Sequence, residues 1–199
     1  MKQILILILS FISINSYANE NKLINFLQNL NHFKANFKHV ISNKEATKEL
    51  DGTIWISAPN KLRWDYENNM QKIIADGEYV RIIEEDLEQV TQYPQKIALQ
   101  KTPIAIFLSK ETLINKFNHS SIGEHKQLDW ILLKSKNKEE YIKEIIIGFN
   151  NKNQPERLQI LDEFNNKSYI FFSNINTKNI PINIYHFMKP DFWDTLEGF

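Results

Sequence analysis

Between residues 51 and 90 the chain consists of short runs in which apolar and polar residues alternate. In the first run Ile54 and Ile56 fall on one side, because successive side chains of a strand point to opposite faces. Turn signals such as Asp76-Gly77 separate the runs. The pattern predicts four antiparallel strands, at residues 53–57, 62–66, 70–75 and 78–83.

The residues before these strands have a helical period instead. Apolar side chains recur at steps of three and four residues and would form one broad stripe on a helix from residue 20 to residue 39; they are Leu23, Phe26, Leu27, Leu30, Phe33 and Phe37. Such a helix is either an ordinary core-packing helix or a movable cover over an apolar cavity. A polar connection is predicted at residues 43–50.

A second short helix is predicted after Thr102-Pro103, since threonine is a good N-cap and proline suits the first helical position. It would span residues 103–110 and could continue over residues 111–117. The second half of the chain then returns to alternation, which predicts strands at residues 128–134, 142–149, 157–162 and 168–175 and allows a last one at 184–187.

These elements add up to a mainly β (α+β) protein with one antiparallel sheet of about nine to eleven strands. An open sheet of that size must curl, and curling creates a concave face. The two predicted helices are the candidates to cover the apolar residues of that face.

The first 18 residues have the pattern of a signal peptide. Lys2 precedes an apolar run over residues 4–14, and small residues follow up to Ala18. The run is short for a membrane span, so a membrane anchor or a buried helix is the less favoured alternative. We expect a cleaved secretory signal at residues 1–18 and a single exported domain at residues 19–199.

Charge and composition narrow the class of function. Lys and Arg number 24 and Asp and Glu number 24, a balance that argues against binding to nucleic acid or to anionic lipid surfaces. The sequence has no cysteine, so the domain would depend on its core alone, and a lipid-modified N-terminal cysteine is excluded.

No motif for catalysis or for a cofactor stands out. The sequence contains neither a Gly-x-Ser-x-Gly elbow nor a phosphate-binding glycine loop, and its five histidines have no ligand spacing. The acidic run at residues 84–88 is typical of a solvated loop. We therefore expect neither an enzyme nor a bound metal or other cofactor.

Several motifs, in order along the chain, resemble the periplasmic outer-membrane lipoprotein carrier proteins, the LolA family. They are Phe33-x-Ala35-x-Phe37, Gly52-x-Ile54-x-Ile56, Pro59-Asn60-x-Leu62-Arg63-Trp64, Ile74-Ala75-Asp76-Gly77, Asp86-Leu87-Glu88-Gln89-Val90, Thr102-Pro103 and the closing Phe187-x-x-Pro190. The first half of the mature chain is covered well, and the second half matches mainly in strand pattern.

The resemblance implies a curved, incompletely closed antiparallel half-barrel with a helical lid over an apolar cavity. It implies a monomeric, non-catalytic chaperone of the Gram-negative periplasm. Such a carrier accepts acylated lipoproteins from an inner-membrane ABC transporter, shields their acyl chains, and delivers them to an outer-membrane receptor lipoprotein.

Residues for the cavity and the lid follow from this resemblance as hypotheses. The concave side of the sheet would contribute Ile54, Ile56, Val80, Ile82, Ile145, Ile147 and Phe149, with Leu62 and Trp64 near the entrance. The underside of the lid would contribute Leu27, Leu30, Ile104, Phe107 and Leu108. Each of them could instead be a closed-core residue that never touches cargo.

One position departs from the family pattern. Ala58 stands where members often have a basic residue that latches the lid, and alanine cannot donate such hydrogen bonds. Either packing alone holds the lid, or a neighbour such as Lys61 or Arg63 substitutes. Two other functions stay open on the same fold, namely another periplasmic binder of lipids or hydrophobic ligands and an envelope sensor or interaction domain.

Overall fold

Strands make up most of the folded chain, which the computed structural model describes over residues 16–42, 46–67, 71–98, 115–137 and 141–198, together with Leu108 and Leu113. The helices are α1 (Ser16–Asn29) and the one-turn α2 (Gln95–Ala98), with 3-10 turns at Glu85–Leu87 and Ile182–Tyr185. The strands are β1 (His32–Ser42), β2 (Thr47–Ser57), β3 (Lys61–Tyr66), β4 (Gln71–Ala75), β5 (Tyr79–Glu84), β6 (Gln89–Pro94), β7 (Phe117–His125), β8 (Leu128–Ser135), β9 (Ile142–Phe149), β10 (Pro155–Asp162), β11 (Lys167–Asn176) and β12 (Asp194–Glu197).

The twelve strands form one open sheet in the order β12-β6-β5-β4-β3-β2-β1-β11-β10-β9-β8-β7. Neighbours are antiparallel except β12, which runs parallel to β6. Strands β3 and β10 are separated by three others, yet their side chains line one cavity, so the sheet curves strongly. The expected mainly β fold with a curved antiparallel sheet is confirmed, and the described residues form twelve strands in place of nine to eleven.

The first predicted helix is wrong beyond Asn29, where α1 ends and a turn leads into β1. Phe33 and Phe37 fit helical steps of three and four, but they also alternate with polar residues. In β1 this alternation buries Phe33 and Phe37 while Lys34 and its polar neighbours stay exposed or half-buried. Eleven residue pairs join β1 to β2, and this pairing with another strand favours the strand over the helix in this segment.

Several other expectations also need correction. The predicted connection at residues 43–50 is shorter, because β2 already begins at Thr47. The strand allowed at residues 184–187 is instead a 3-10 turn over Ile182–Tyr185. Strands β6, β7 and β12 were not predicted.

Some predictions fall on parts of the chain that lie outside the described residues. These include residues 1–15 of the predicted signal peptide and most of the predicted helix at 103–110. From that second region Leu108 and Leu113 are described, and both are helical and buried. No helix in the described ranges has the length and apolar content that a membrane crossing requires.

The concave face carries the main core, and α1 lies across the strands at one end of it. Leu23 and Phe26 of α1, and Leu30 just after it, are buried against the sheet, with the Phe26 ring 5.6 Å from that of Phe149 and 6.3 Å from that of Phe33. Contacts between elements place α1 over β7 and β8. This end of the concave face is therefore filled, which leaves the opposite end as the place for a cavity.

A second, smaller core lies on the convex face. Ile74, Ile83 and Val90 are buried there beneath Phe187 and Trp193 of the C-terminal segment. Upstream, the Tyr185 hydroxyl shares a 2.8 Å hydrogen bond with Ser57 Oγ. The C-terminal segment is thus packed on the outside of the sheet, away from the concave interior.

Candidate functional site

An apolar cavity of about 290 Å³ opens on the concave side of the sheet. Strands β1, β3, β4, β5, β10 and β11 supply most of its walls, and it reaches the surface beside Tyr141, which is 44 % exposed. The lining residues are His39, Leu62, Trp64, Tyr66, Ile73, Ala75, Val80, Tyr141, Leu158, Ile160, Asp162, Asn166, Ser168 and Ile170. The described lining includes no lysine or arginine, so the cavity suits an uncharged, largely apolar ligand.

The predicted site residues divide into three groups. The cavity lining includes Leu62, Trp64 and Val80. Most of the others belong to the packed core and do not line the cavity. Leu27 packs against this core, and the residues buried within it are Leu30, Ile54, Ile56, Leu108, Ile145, Ile147 and Phe149. Ile82 is half-buried and is not part of the lining, and Ile104 and Phe107 lie outside the described residues.

Sequence reasoning missed eleven of the fourteen described residues that line the cavity. Leu158 and Ile160 alternate with polar residues along β10 and both line the cavity. The alternation predicts a strand with one buried face, but it does not indicate that this face borders a cavity. Ile170 on β11 pairs directly with His39 on β1. His39 was not predicted as a cavity residue, because its segment was predicted to be part of the first helix and not of a strand.

Four rings form an aromatic cluster at the cavity wall, and we use that name below for Phe37, His39, Trp64 and Tyr66. The Phe37 ring lies 4.7 Å from Trp64 and 5.3 Å from Tyr66, centroid to centroid. The rings meet over Gly52, whose register partners are Phe37 on β1 and Tyr66 on β3. Because glycine has no side chain, the rings can occupy the space above it.

Burial controls the ionisation of the two polar members of the cluster. It lowers the pKa of His39 to about 4 and raises the pKa of Tyr66 to about 12. The Trp64 indole N–H approaches the Tyr66 oxygen and offsets part of that rise, although the contact falls outside hydrogen-bond geometry. His39 Nδ1 and Tyr66 Oη are 3.1 Å apart and share a hydrogen bond. At neutral pH both groups are therefore uncharged.

The lowered pKa of His39 predicts a loss of stability in mild acid. The unfolded chain takes up a proton near pH 6.5, whereas the folded chain does so only near pH 4, so stability falls as pH drops through that window. The expected loss is roughly 2 kcal/mol, allowing for the part of the ring that faces solvent. Urea unfolding at pH 7, 5.5 and 4.5 measures it.

His39→Phe should lose less stability than the wild type over the same window. The exposed His125 provides a matched substitution, and His125→Phe is expected to keep the wild-type decline. An equal decline in the wild type and in His39→Phe would show that the His39 ring is not buried as described.

Two polar contacts tie α1 to the sheet. Lys22 forms an ion pair with Asp129 on β8, and the Asn31 carbonyl just after the helix accepts a 3.0 Å hydrogen bond from the Ala58 N–H. The two proposed substitutes for a basic residue at position 58 are engaged elsewhere. Lys61 donates to the Asp76 carbonyl, and Arg63 binds Asp65 and the Ile184 carbonyl.

A larger depression of about 850 Å³ lies on another part of the surface. Its walls include Lys22, Asp129, Lys152 and Glu156 beside several asparagine and glutamine side chains. Burying apolar chains against such polar groups would cost their hydration. The apolar cavity is thus the better candidate for a hydrophobic ligand.

Comparison with known proteins gives a consistent family assignment. The family model described as "Outer membrane lipoprotein carrier protein LolA" matches residues 28–187. A relative from Chromobacterium violaceum, named outer-membrane lipoprotein carrier protein, is 28% identical over 175 residues, which cover 87% of this chain and 84% of that protein. A protein of the same name from Neisseria meningitidis is 29% identical over 164 residues, covering 81% of this chain and 79% of the relative.

Solved structures support the fold. An uncharacterized conserved protein from Thermus thermophilus superposes with a TM-score of 0.59 at 9% identity, covering 89% of this chain and 98% of that one. A LolA superfamily protein from Nitrosomonas europaea gives a TM-score of 0.50 at 9% identity, covering 85% and 96% of the two chains. At such identities the similarity concerns architecture alone.

Proposed function

From the premise that this chain belongs to the LolA family of outer-membrane lipoprotein carrier proteins, we propose that it carries acylated lipoproteins through the periplasm. The single observation that supports this best is the apolar cavity on the concave side of the sheet, whose described lining has no lysine or arginine. Burying one methylene group away from water lowers the free energy by about 0.8 kcal/mol. Acyl chains that cross an aqueous compartment therefore need an apolar binding site. The role requires binding and release, and no bond is made or broken.

The size of the cavity says how binding would proceed. At about 290 Å³ it lies at the lower end of pockets that enclose one small organic ligand, of roughly 300–1,000 Å³. Several acyl chains therefore need more room than the structure offers. Cargo would gain this room by displacing α1, which would uncover core residues such as Ile147 and Phe149.

Few polar contacts oppose such a displacement. The Lys22–Asp129 pair is partly solvated, and pairs of this kind contribute about 1 kcal/mol or less. Most of the resistance comes from Leu23, Phe26 and Leu30, whose burial cargo chains can replace. The closed state is then favoured without cargo and the open state with it.

The proposal also includes the two membrane partners that would load and unload the carrier. Family membership supports loading from an inner-membrane ABC transporter and delivery to an outer-membrane receptor lipoprotein. The balanced charge of the chain suits a particle that must leave both membranes easily.

A release assay tests the proposal. Spheroplasts that hold a labelled, acylated outer-membrane lipoprotein are incubated with the purified protein lacking residues 1–18. We expect the lipoprotein to leave the membrane as a soluble one-to-one complex. Serum albumin, which also binds acyl chains, is the control for non-specific extraction, and a non-acylated form of the cargo is the control for recognition of its protein part.

The alternatives make different predictions. If no lipoprotein is released while free lipid still binds, the protein is a general binder of hydrophobic ligands. If mass spectrometry of co-purified material finds peptides and no acyl chains, the groove serves protein recognition.

A further inference from the structure

Two buried nitrogen atoms in the cavity wall lack a hydrogen-bond partner. Within the described part of the chain, neither His39 Nε2 nor Trp64 Nε1 has one, and both atoms are shielded from solvent. Both residues line the apolar cavity. A buried polar group without a partner is costly, so the site would gain from a ligand that supplies one.

The cluster fixes what these atoms can offer. Trp64 Nε1 carries a hydrogen and can only donate. When the Tyr66 hydroxyl donates its hydrogen bond to His39 Nδ1 across their 3.1 Å contact, His39 Nε2 carries the ring hydrogen and is a donor as well. The two rings are 6.5 Å apart, centroid to centroid, so the two side chains lie close together in the wall.

Two other polar side chains of the lining, Asp162 and Asn166, bind each other. Asp162 accepts hydrogen bonds from the backbone of Phe164 and Asn166 and from the Asn166 side chain. Its carboxylate thus stabilises the turn between β10 and β11. His39 Nε2 and Trp64 Nε1 remain as buried polar atoms of this largely apolar wall that have no hydrogen-bond partner within the described residues.

We propose that His39 and Trp64 form a polar anchor that binds the carbonyl oxygen of an acyl ester or amide, where the fatty chain joins the rest of the cargo. A carbonyl oxygen is an acceptor, so it can bind either of these donors. The adjoining chain would then run along Leu62, Ile73 and Val80. This anchor rests on the proposed carrier function and adds the chemical group by which the cavity recognises its ligand.

The charge of the site favours a neutral carbonyl over a free carboxylate. The pKa of His39 is lowered to about 4, so at neutral pH its ring supplies no positive charge. The described lining has no lysine or arginine, and the one carboxylate on it, Asp162, would repel a second. Free fatty acid is therefore the weaker ligand.

A pair of soluble lipids isolates the carbonyl. An acyl lysophosphatidylcholine and its ether-linked analogue of equal chain length differ by that one group, and each can displace an anilinonaphthalene dye from the cavity. We expect the wild type to bind the acyl form roughly five- to tenfold more tightly. His39→Phe and Trp64→Phe should each reduce this ratio toward one. Trp55→Phe, on the other face of β2, should preserve it.

The ratio, measured within each variant, separates recognition of the carbonyl from any general change in the cavity. A wild-type ratio near one, or a ratio that survives in both variants, would overturn the anchor. If the wild type also releases lipoprotein in the spheroplast assay, the carrier function stands without the anchor. If it neither releases lipoprotein nor binds either lipid, both proposals fail.

Discussion

Gly52→Ala is expected to destabilise the protein by more than about 3 kcal/mol, because the added methyl group has no space. An ideal Cβ at this position would lie 2.0 Å from the Asp65 carbonyl oxygen and 2.5 Å from the Phe37 ring. The oxygen belongs to the backbone of β3 and cannot rotate away. Thermal and urea unfolding measure the effect, and a fall in Tm of roughly 10 °C corresponds to this loss in a chain of such length.

Gly148→Ala provides the matched comparison on another strand. Its added Cβ would approach side-chain atoms of Trp130 and Leu128 at 3.0–3.1 Å, and these atoms can shift by a few tenths of an ångström. We expect a change of about 1 kcal/mol or less. A Gly52→Ala protein as stable as Gly148→Ala would mean that β1, β2 and β3 are not spaced as described.

Filling the cavity should abolish most of the carrier activity without unfolding the protein. Ile73 is half-buried on β4, lines the cavity and pairs with Trp64. In Ile73→Trp the larger ring would occupy space that an acyl chain needs. Excluding only two methylenes would cost about 1.6 kcal/mol, or more than tenfold in affinity. Release of labelled lipoprotein from spheroplasts is the measurement.

The same substitution at an exposed isoleucine separates the cavity from general effects of tryptophan. Ile122 on β7 is exposed, and Ile122→Trp should release lipoprotein as the wild type does. Unfolding curves must first show that both variants are folded. Normal release by a folded Ile73→Trp protein would exclude this cavity as the binding site.

The alternating runs predicted much of the sheet, because a strand that is buried on one face has a period of two in its own residues. The segment at residues 142–149 illustrates this, since its predicted bounds coincide with those of β9. The period of two did not identify the strand where a helical pattern overlaps with it. Phe33 and Phe37 fit both a helical period and an alternating strand, and the pairing of β1 with the distant β11 decides for the strand.

The site was less predictable than the sheet because burial and access are different properties. Ile54 and Ile147, predicted to line the cavity, are packed in the core instead of bordering the free space. The free space depends on where α1 stops, and the apolar pattern had extended that helix by ten residues. His39 could be recognised as a cavity residue only once its strand was known.

The short strand β12 has a consequence for self-association. It covers the outer edge of β6 with four exposed residues, of which Asp194 and Glu197 are acidic. A free β6 edge would offer unpaired backbone groups to a strand from another copy, the usual first step of polymerisation. A short, negatively charged strand is a poor template for such growth. The C-terminal segment therefore protects this edge of the sheet from pairing with another copy of the chain.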